Sequence, residues 1–194
     1  MSPKPLLQDV LDRIDEANAL DPKPEPESDS HTPAALIYGR RMSAMLAELV
    51  AEPSELLQIA VRGQHIERWQ RPRSDYPKDK AGYLQWRHDA AAFHAERVAK
   101  IMAECGWDGA AQDRVGSLIR KERLKSDAEA QTLEDVACLV FMRWYFVPFA
   151  ADRSHDELFR IVAKTARKMS ANGRKAALSL PLPDALVPAI ADMD

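Results

Sequence analysis

Between Leu118 and Phe141 the chain sets carboxylates and lysines inside apolar helical spacing, a combination that can bind a metal ion or lock charge inside a core. Val115, Leu118, Ile119 and Glu122 share one helical face, so Glu122 is expected on an apolar stripe. Leu133, Val136, Ala137, Val140, Phe141 and Trp144 form the next stripe, flanked by Glu134 and Asp135. Buried carboxylates need a metal, a cation or hydrogen bonds around them, so the region reads either as a site or as an internal polar clamp. His65 follows Leu57 and Val61 at four-residue steps, with Arg68 and Trp69 continuing its face, and His94 continues Ala90 and precedes Val98 and Ile101. One histidine on an apolar face is more often hydrogen-bonded core than ligand. Two on neighbouring helices, with Glu122 and Asp135 at hand, suggest a divalent metal (manganese, iron or zinc) held by His65, His94, Glu122 and Asp135.

In such a site a bound water would be the nucleophile, with Glu134 or Glu96 as candidate general base. Arg68, Arg87, Lys121 and Lys125 could hold a small anionic group, and Trp69, Arg73 and Tyr76 belong to the same candidate binding set. Taken singly, each of these cations is more often a partner in a structural salt bridge. His31 and His155 read as surface residues. No Gly-rich phosphate loop, GxSxG elbow, CxxC pair or HExxH motif is present, so no nucleotide cofactor is expected.

The elements that must position these residues are helical. A chain of 194 residues, 46% hydrophobic and 29% charged, suits one substantial core. Leu6, Leu7, Val10, Leu11, Ile14 and Ala17 define a first amphipathic helix within residues 1–20. Residues 21–32, rich in proline and acid, read as a mobile linker or exposed loop. The remaining helical core, 33–179, belongs to the same domain, with helices at about 33–50, from Pro53-Ser54 through Trp69, at 80–104 before Gly106, and at 109–124, 129–147 and 154–171. Ser154 followed by Glu157 reads as a capping box. The tail, 180–194, is expected to pack as an extended segment or fray. No alternating strand pattern competes, so the fold class is all-α, six or seven helices around one core.

Cys105 and Cys138 lie in helical patterns far apart, which fits a reducing cytoplasm better than a disulfide framework. The apolar run 136–149 is interrupted by Arg143 and too short to span a bilayer, so no membrane segment is expected. Net charge is −3, yet residues 61–125 hold 14 Lys/Arg against 9 Asp/Glu. That basic region could attract an anionic ligand, although it is more diffuse than a duplex-binding patch.

Two resemblances follow. The order His65, His94, Asp135 resembles a compressed form of the HD-domain superfamily, all-α metal-dependent phosphohydrolases. The pattern departs from it where Ala95, not aspartate, follows His94; the literal pair His88-Asp89 lies on another helical face, and Glu96 points about 200° away from His94. More specifically, Gly63-Gln-His-Ile-Glu-Arg-Trp69, Pro72-Arg-Ser-Asp-Tyr-Pro77, Gly82-Tyr-Leu-Gln-Trp-Arg87, Leu118-Ile-Arg-Lys-Glu-Arg-Leu-Lys125, Leu133-Glu-Asp-Val-Ala-Cys-Leu-Val-Phe141 and Lys164-Thr-Ala-Arg-Lys-Met-Ser170 closely resemble domain of unknown function 4202. Its members often carry the label glutamyl-tRNA synthetase-like, and His65, Glu96, Glu122 and Asp135 match its pattern. Lys168-Met-Ser170 is similar to the KMSKS loop of class I synthetases, but it is expected on an amphipathic helix, and no βαβ nucleotide-binding unit exists here, which argues against aminoacylation. Two functions of different class remain: a metal-dependent hydrolase of a small phosphorylated or anionic compound, and a non-enzymatic protein engaging tRNA or a protein partner through its basic region.

Overall fold

Short polar side chains set where the helices begin. The computed structural model of the chain describes residues 6–25 and 31–191, and ten α-helices occur among them. They are α1 (Leu7–Asn18), α2 (Ala34–Leu49), α3 (Glu55–Gly63), α4 (Lys80–Glu104), α5 (Gly109–Ile119), α6 (Ala128–Val140), α7 (Phe146–Ala150), α8 (His155–Ala166), α9 (Ala171–Ala177) and α10 (Pro188–Ala191). Ser54, Asp79, Asp108, Asp127, Ser154 and Ser170 each accept a first-turn backbone N–H, capping α3, α4, α5, α6, α8 and α9. Gly106, at φ +82°, turns the chain out of α4.

The all-α class therefore holds, with more breaks than the periodicity suggested. Pro148 lacks the N–H that would bond the carbonyl of Trp144, and the ladder widens to a π-turn over Phe141–Tyr145 between α6 and α7. Residues 164–170 were expected to continue one helix, but Lys168-Met169-Ser170 link α8 to α9, because the Ser170 side chain starts a new helix there. The tail packs as far as residue 191, where Leu186, Ala189 and Ile190 are buried and α10 lies on α8 and α9; residues 192–194 of the expected tail lie outside the described residues. The described part of the acidic segment is likewise pinned. Asp21 accepts N–H bonds from Lys23 and Ala35, both at 3.0 Å, and buried Glu25 pairs with Arg41 at 3.0 Å. Residues 26–30 of that expected linker lie outside the described residues.

One apolar core joins all the layers. Leu133, Val136, Leu139 and Val140 of α6 face α2 and α3, while Val98, Ile101 and Met102 of α4 meet Val115, Leu118 and Ile119 of α5. Glu122 is not on that stripe. Helix α5 stops at Ile119, and Lys121 and Arg123 adopt left-handed backbones at φ +56° and +57° that reverse the chain. The Glu122 side chain is thereby 49% exposed and pairs with Arg120 at 2.6 Å. Helix α3 also ends before Trp69, which lies instead in a 3₁₀ turn over Arg68–Gln70.

Candidate anion-binding site

The site is built from the turn after α3. Gly63 ends that helix where an added Cβ would stand 2.5 Å from Val98 Cγ2, so only glycine permits this approach to α4. The next turn buries the Ile66 side chain completely and takes Glu67 into the left-handed region at φ +50°. Three partners hold this strained backbone: the Glu67 N–H donates to Asn18 Oδ1 at 2.9 Å, Arg97 Nε donates to the Glu67 carboxylate at 2.9 Å, and His94 Nδ1 donates to the Ile66 carbonyl at 2.7 Å. His65 and Arg68 are thus presented by a turn fixed from α1 and α4.

His65 stacks on Tyr38 of α2, ring centroids 4.6 Å apart and 20° from coplanar. Arg68 Nη1 lies 2.9 Å from both ring nitrogens of His65, so the guanidinium crosses the ring instead of pairing with one lone pair. The same guanidinium lies 4.9 Å from the Trp86 ring. Tyr38, His65, Arg68 and Trp86 therefore form a continuous stack. Burial, then Arg68, with Lys121 and Arg87 adding, pushes the His65 pKa well below its ordinary value. His94 sits behind, its ring centroid 5.7 Å from that of His65, and burial lowers its pKa to about 4. A carbonyl can only accept, so Nδ1 of His94 carries the proton and Nε2 a lone pair, which has no hydrogen-bond partner among the described residues. Both imidazoles are neutral at pH 7.

Charge enters from two further elements. Lys121, on its left-handed backbone, forms an ion pair with Glu134 of α6, and Lys168 Nζ lies 3.9 Å from the same carboxylate. Burial would raise the Glu134 pKa, but Lys121, Lys168 and Arg87 together outweigh it, and the carboxyl is held below its usual range. Asp135, one residue on, has other work. It accepts the Ser170 N–H at 2.8 Å, the Ser170 hydroxyl, and Gln131 Nε2 at 3.0 Å. An added Cβ at Gly173 would stand 2.6 Å from Asp135 Cγ, so glycine lets the first turn of α9 settle on this carboxylate.

Of the residues expected to act together, His65, His94 and Arg68 are neighbours, Lys121 pairs with Glu134, and exposed Arg87 adds its field to both His65 and Glu134. Glu96 and Lys125 are exposed, as is Glu122. Arg73 spends its guanidinium on the carbonyls of Tyr76 and Pro77, and the Tyr76 hydroxyl donates to Asp89 at 3.2 Å, so both organise the loop before α4. The literal His88-Asp89 pair is a surface pair, with His88 83% exposed. Among the described residues no group of three or more His, Cys, Asp or Glu side chains comes together as a metal centre would require. Sequence reasoning missed Tyr38, the stacking role of Trp86, and Lys168, whose only signal was the Lys168-Met-Ser170 run.

A separate cleft of about 780 Å³ between α1 and α4 is lined by acids, among them Asp9, Asp12 and Glu16. Its arginines, Arg13 and Arg97, are paired with Glu104 and Glu67, so it carries the opposite charge.

Fold and cluster together define an all-α domain with paired neutral histidines beneath a cationic rim. The sequence model of the family described as Domain of unknown function (DUF4202) matches residues 8–190, and the chain belongs to that family. No curated protein and no solved structure matches it. No helix among the described residues is long and apolar enough to cross a membrane.

Proposed function

We propose that this chain binds a small phosphorylated compound at His65, Arg68, Arg87, Lys121 and Lys168, and hydrolyses its phosphoester. The observation that carries the reading is the neutral His65 imidazole crossed by the Arg68 guanidinium at 2.9 Å, within the field of Lys121 and Arg87. Cations around a neutral base favour a dianion at that point. Lys121 and Lys168 share the single carboxylate of Glu134, which a phosphate group can join or replace as their partner. In the reaction, water adds to phosphorus, the ester P–O bond breaks, His65 takes the proton of the water, and the departing alkoxide takes one from a neighbouring ammonium group or from solvent. The bound phosphate opposes the field of the cations and moves the His65 pKa back toward neutrality, where a general base works best.

Calorimetric titration with inorganic phosphate, alongside phosphate release from phosphorylated sugars, tests this. Binding should weaken as salt rises and fall at least about tenfold in Lys121→Met, a loss of about 1.4 kcal/mol. Folded wild-type protein that binds no phosphate at low ionic strength would overturn the reading.

A metal-assisted form of the same reaction rests on His94, whose Nδ1–H bond to the Ile66 carbonyl leaves Nε2 as a bare lone pair, the usual second-shell arrangement of a ligating histidine. His65 and His94 would supply two of the donors that manganese, iron or zinc needs, substrate and water would have to complete the set, and the ion would lower the pKa of the attacking water. Stoichiometric metal in untagged protein, lost in His65→Ala, supports this form. Metal-free protein that stays metal-free after incubation with each ion, yet turns over substrate, leaves His65 as the base.

A further inference from the structure

Tyr83, Trp86 and Arg87 lie three and four residues apart along one edge of α4, beside the turn that carries Arg68. Tyr83 is 44% exposed and takes no part in the core, a large aromatic ring left in water. Its centroid lies 6.0 Å from that of Trp86, and the Arg87 guanidinium lies 5.9 Å from the Tyr83 ring. Trp86 is already occupied: Arg68 covers its face, and its Nε1–H donates to the Arg71 carbonyl at 2.8 Å. Tyr83 also lies within electrostatic reach of Arg68. A half-exposed phenol ring, with Arg87 over it, therefore adjoins the guanidinium groups assigned above to phosphate.

A sugar phosphate has no flat group to place there, whereas a nucleotide has one at the right end. On the basis of the phosphate-site reading, we infer that the phosphorylated compound is a nucleoside monophosphate whose base stacks on Tyr83 while Arg68 and Arg87 take its phosphate. Arg87, which now lies over the ring, leaves it for the phosphate as the base arrives. Stacking of this kind is tolerant of base identity, because every base has a π-face. The 5′-phosphorylated end of an oligonucleotide would present the same chemistry.

The test is calorimetric titration of the full chain with inorganic phosphate, ribose 5-phosphate, AMP and a 5′-phosphorylated trinucleotide, in wild type, Tyr83→Ala and Tyr83→Phe. AMP should bind roughly tenfold more tightly than ribose 5-phosphate. Tyr83→Ala should erase that advantage and leave ribose 5-phosphate affinity within about twofold, while Tyr83→Phe retains it. A trinucleotide that shows the Tyr83 dependence when AMP does not would assign the site to a chain end. Equal affinity for AMP and ribose 5-phosphate, or an advantage that survives Tyr83→Ala, overturns the inference and leaves the phosphate site standing. Failure of all four ligands to bind overturns both.

Discussion

Glu134 and Asp135 are adjacent, chemically alike and almost equally buried, at 5% and 3% exposure, yet they serve different regions of the molecule. One residue of helix is about 100° of rotation, which turns Glu134 toward the ends of two lysine side chains and Asp135 toward the start of α9. The partners of Asp135 are neutral donors: a backbone N–H and a hydroxyl fixed within one cap, and the Gln131 amide from its own helix. The partners of Glu134 are flexible ammonium groups from two separate turns, which an incoming anion can recruit. A buried carboxylate is thus a clamp or a counter-ion according to what surrounds it, and burial alone does not distinguish the two.

The sharpest way to break the comparison is to remove the clamp. Asp135→Ala leaves the Ser170 donors and Gln131 without their acceptor and should destabilise the fold by about 4 kcal/mol in urea titration. A loss under about 1 kcal/mol would mean that α9 does not depend on this carboxylate. On the other side, His94 has a folded pKa of about 4, below its ordinary 6.5. The unfolded chain therefore binds its proton first, so the stability from neutral His94 is complete above about pH 6.5 and is lost as pH falls toward 4, a change of roughly 3 kcal/mol. His65, lowered in the same direction, adds to that slope. His94→Asn, whose amide nitrogen stands where Nδ1 does and can still donate to the Ile66 carbonyl, should flatten the profile in this window, and an unchanged slope would remove His94 as its source.

Gly173→Ala tests the clamp more gently, since the new methyl meets the Asp135 carboxyl group. It should cost about 2 kcal/mol in thermal or urea unfolding, with phosphate affinity little changed. The smallest stability effect belongs to Glu134→Gln, about 1 kcal/mol, because a neutral amide can still accept from Lys121. This variant should bind inorganic phosphate more tightly than wild type, since Lys121 and Lys168 lose their competing anion. Weaker binding would show that Glu134 helps to hold the lysines in place.

Much of the fold was legible in the apolar spacing, which located α1, α2 and α4 to within about a residue or two. It failed at Glu122, because a period of 3.6 continues on paper past Ile119 while left-handed residues at Lys121 and Arg123 end the face. It failed again at Lys168-Met169-Ser170 and at residues 184–191, where a cap and a buried Leu186–Ile190 segment were unmarked by any long repeat. For the site, the histidines, Arg68, Arg87, Lys121 and Glu134 stood out because polar groups at apolar spacing are conspicuous. Tyr38 and Lys168 did not, since an aromatic residue in an amphipathic helix and a lysine near a helix end are ordinary.

The sequence by itself determined the all-α class, the helix starts at Ser54 and Ser154, and the segments that carry the site, because caps and periodicity are local properties. Only the tertiary structure decided which charges meet. Residues 38, 65, 94, 121, 134 and 168 come from six separate segments, and their grouping depends on how the helices pack and on left-handed turns at Glu67 and Lys121. Packing also separated two neighbouring carboxylates into a clamp and a counter-ion, a distinction that no property of either residue alone contains.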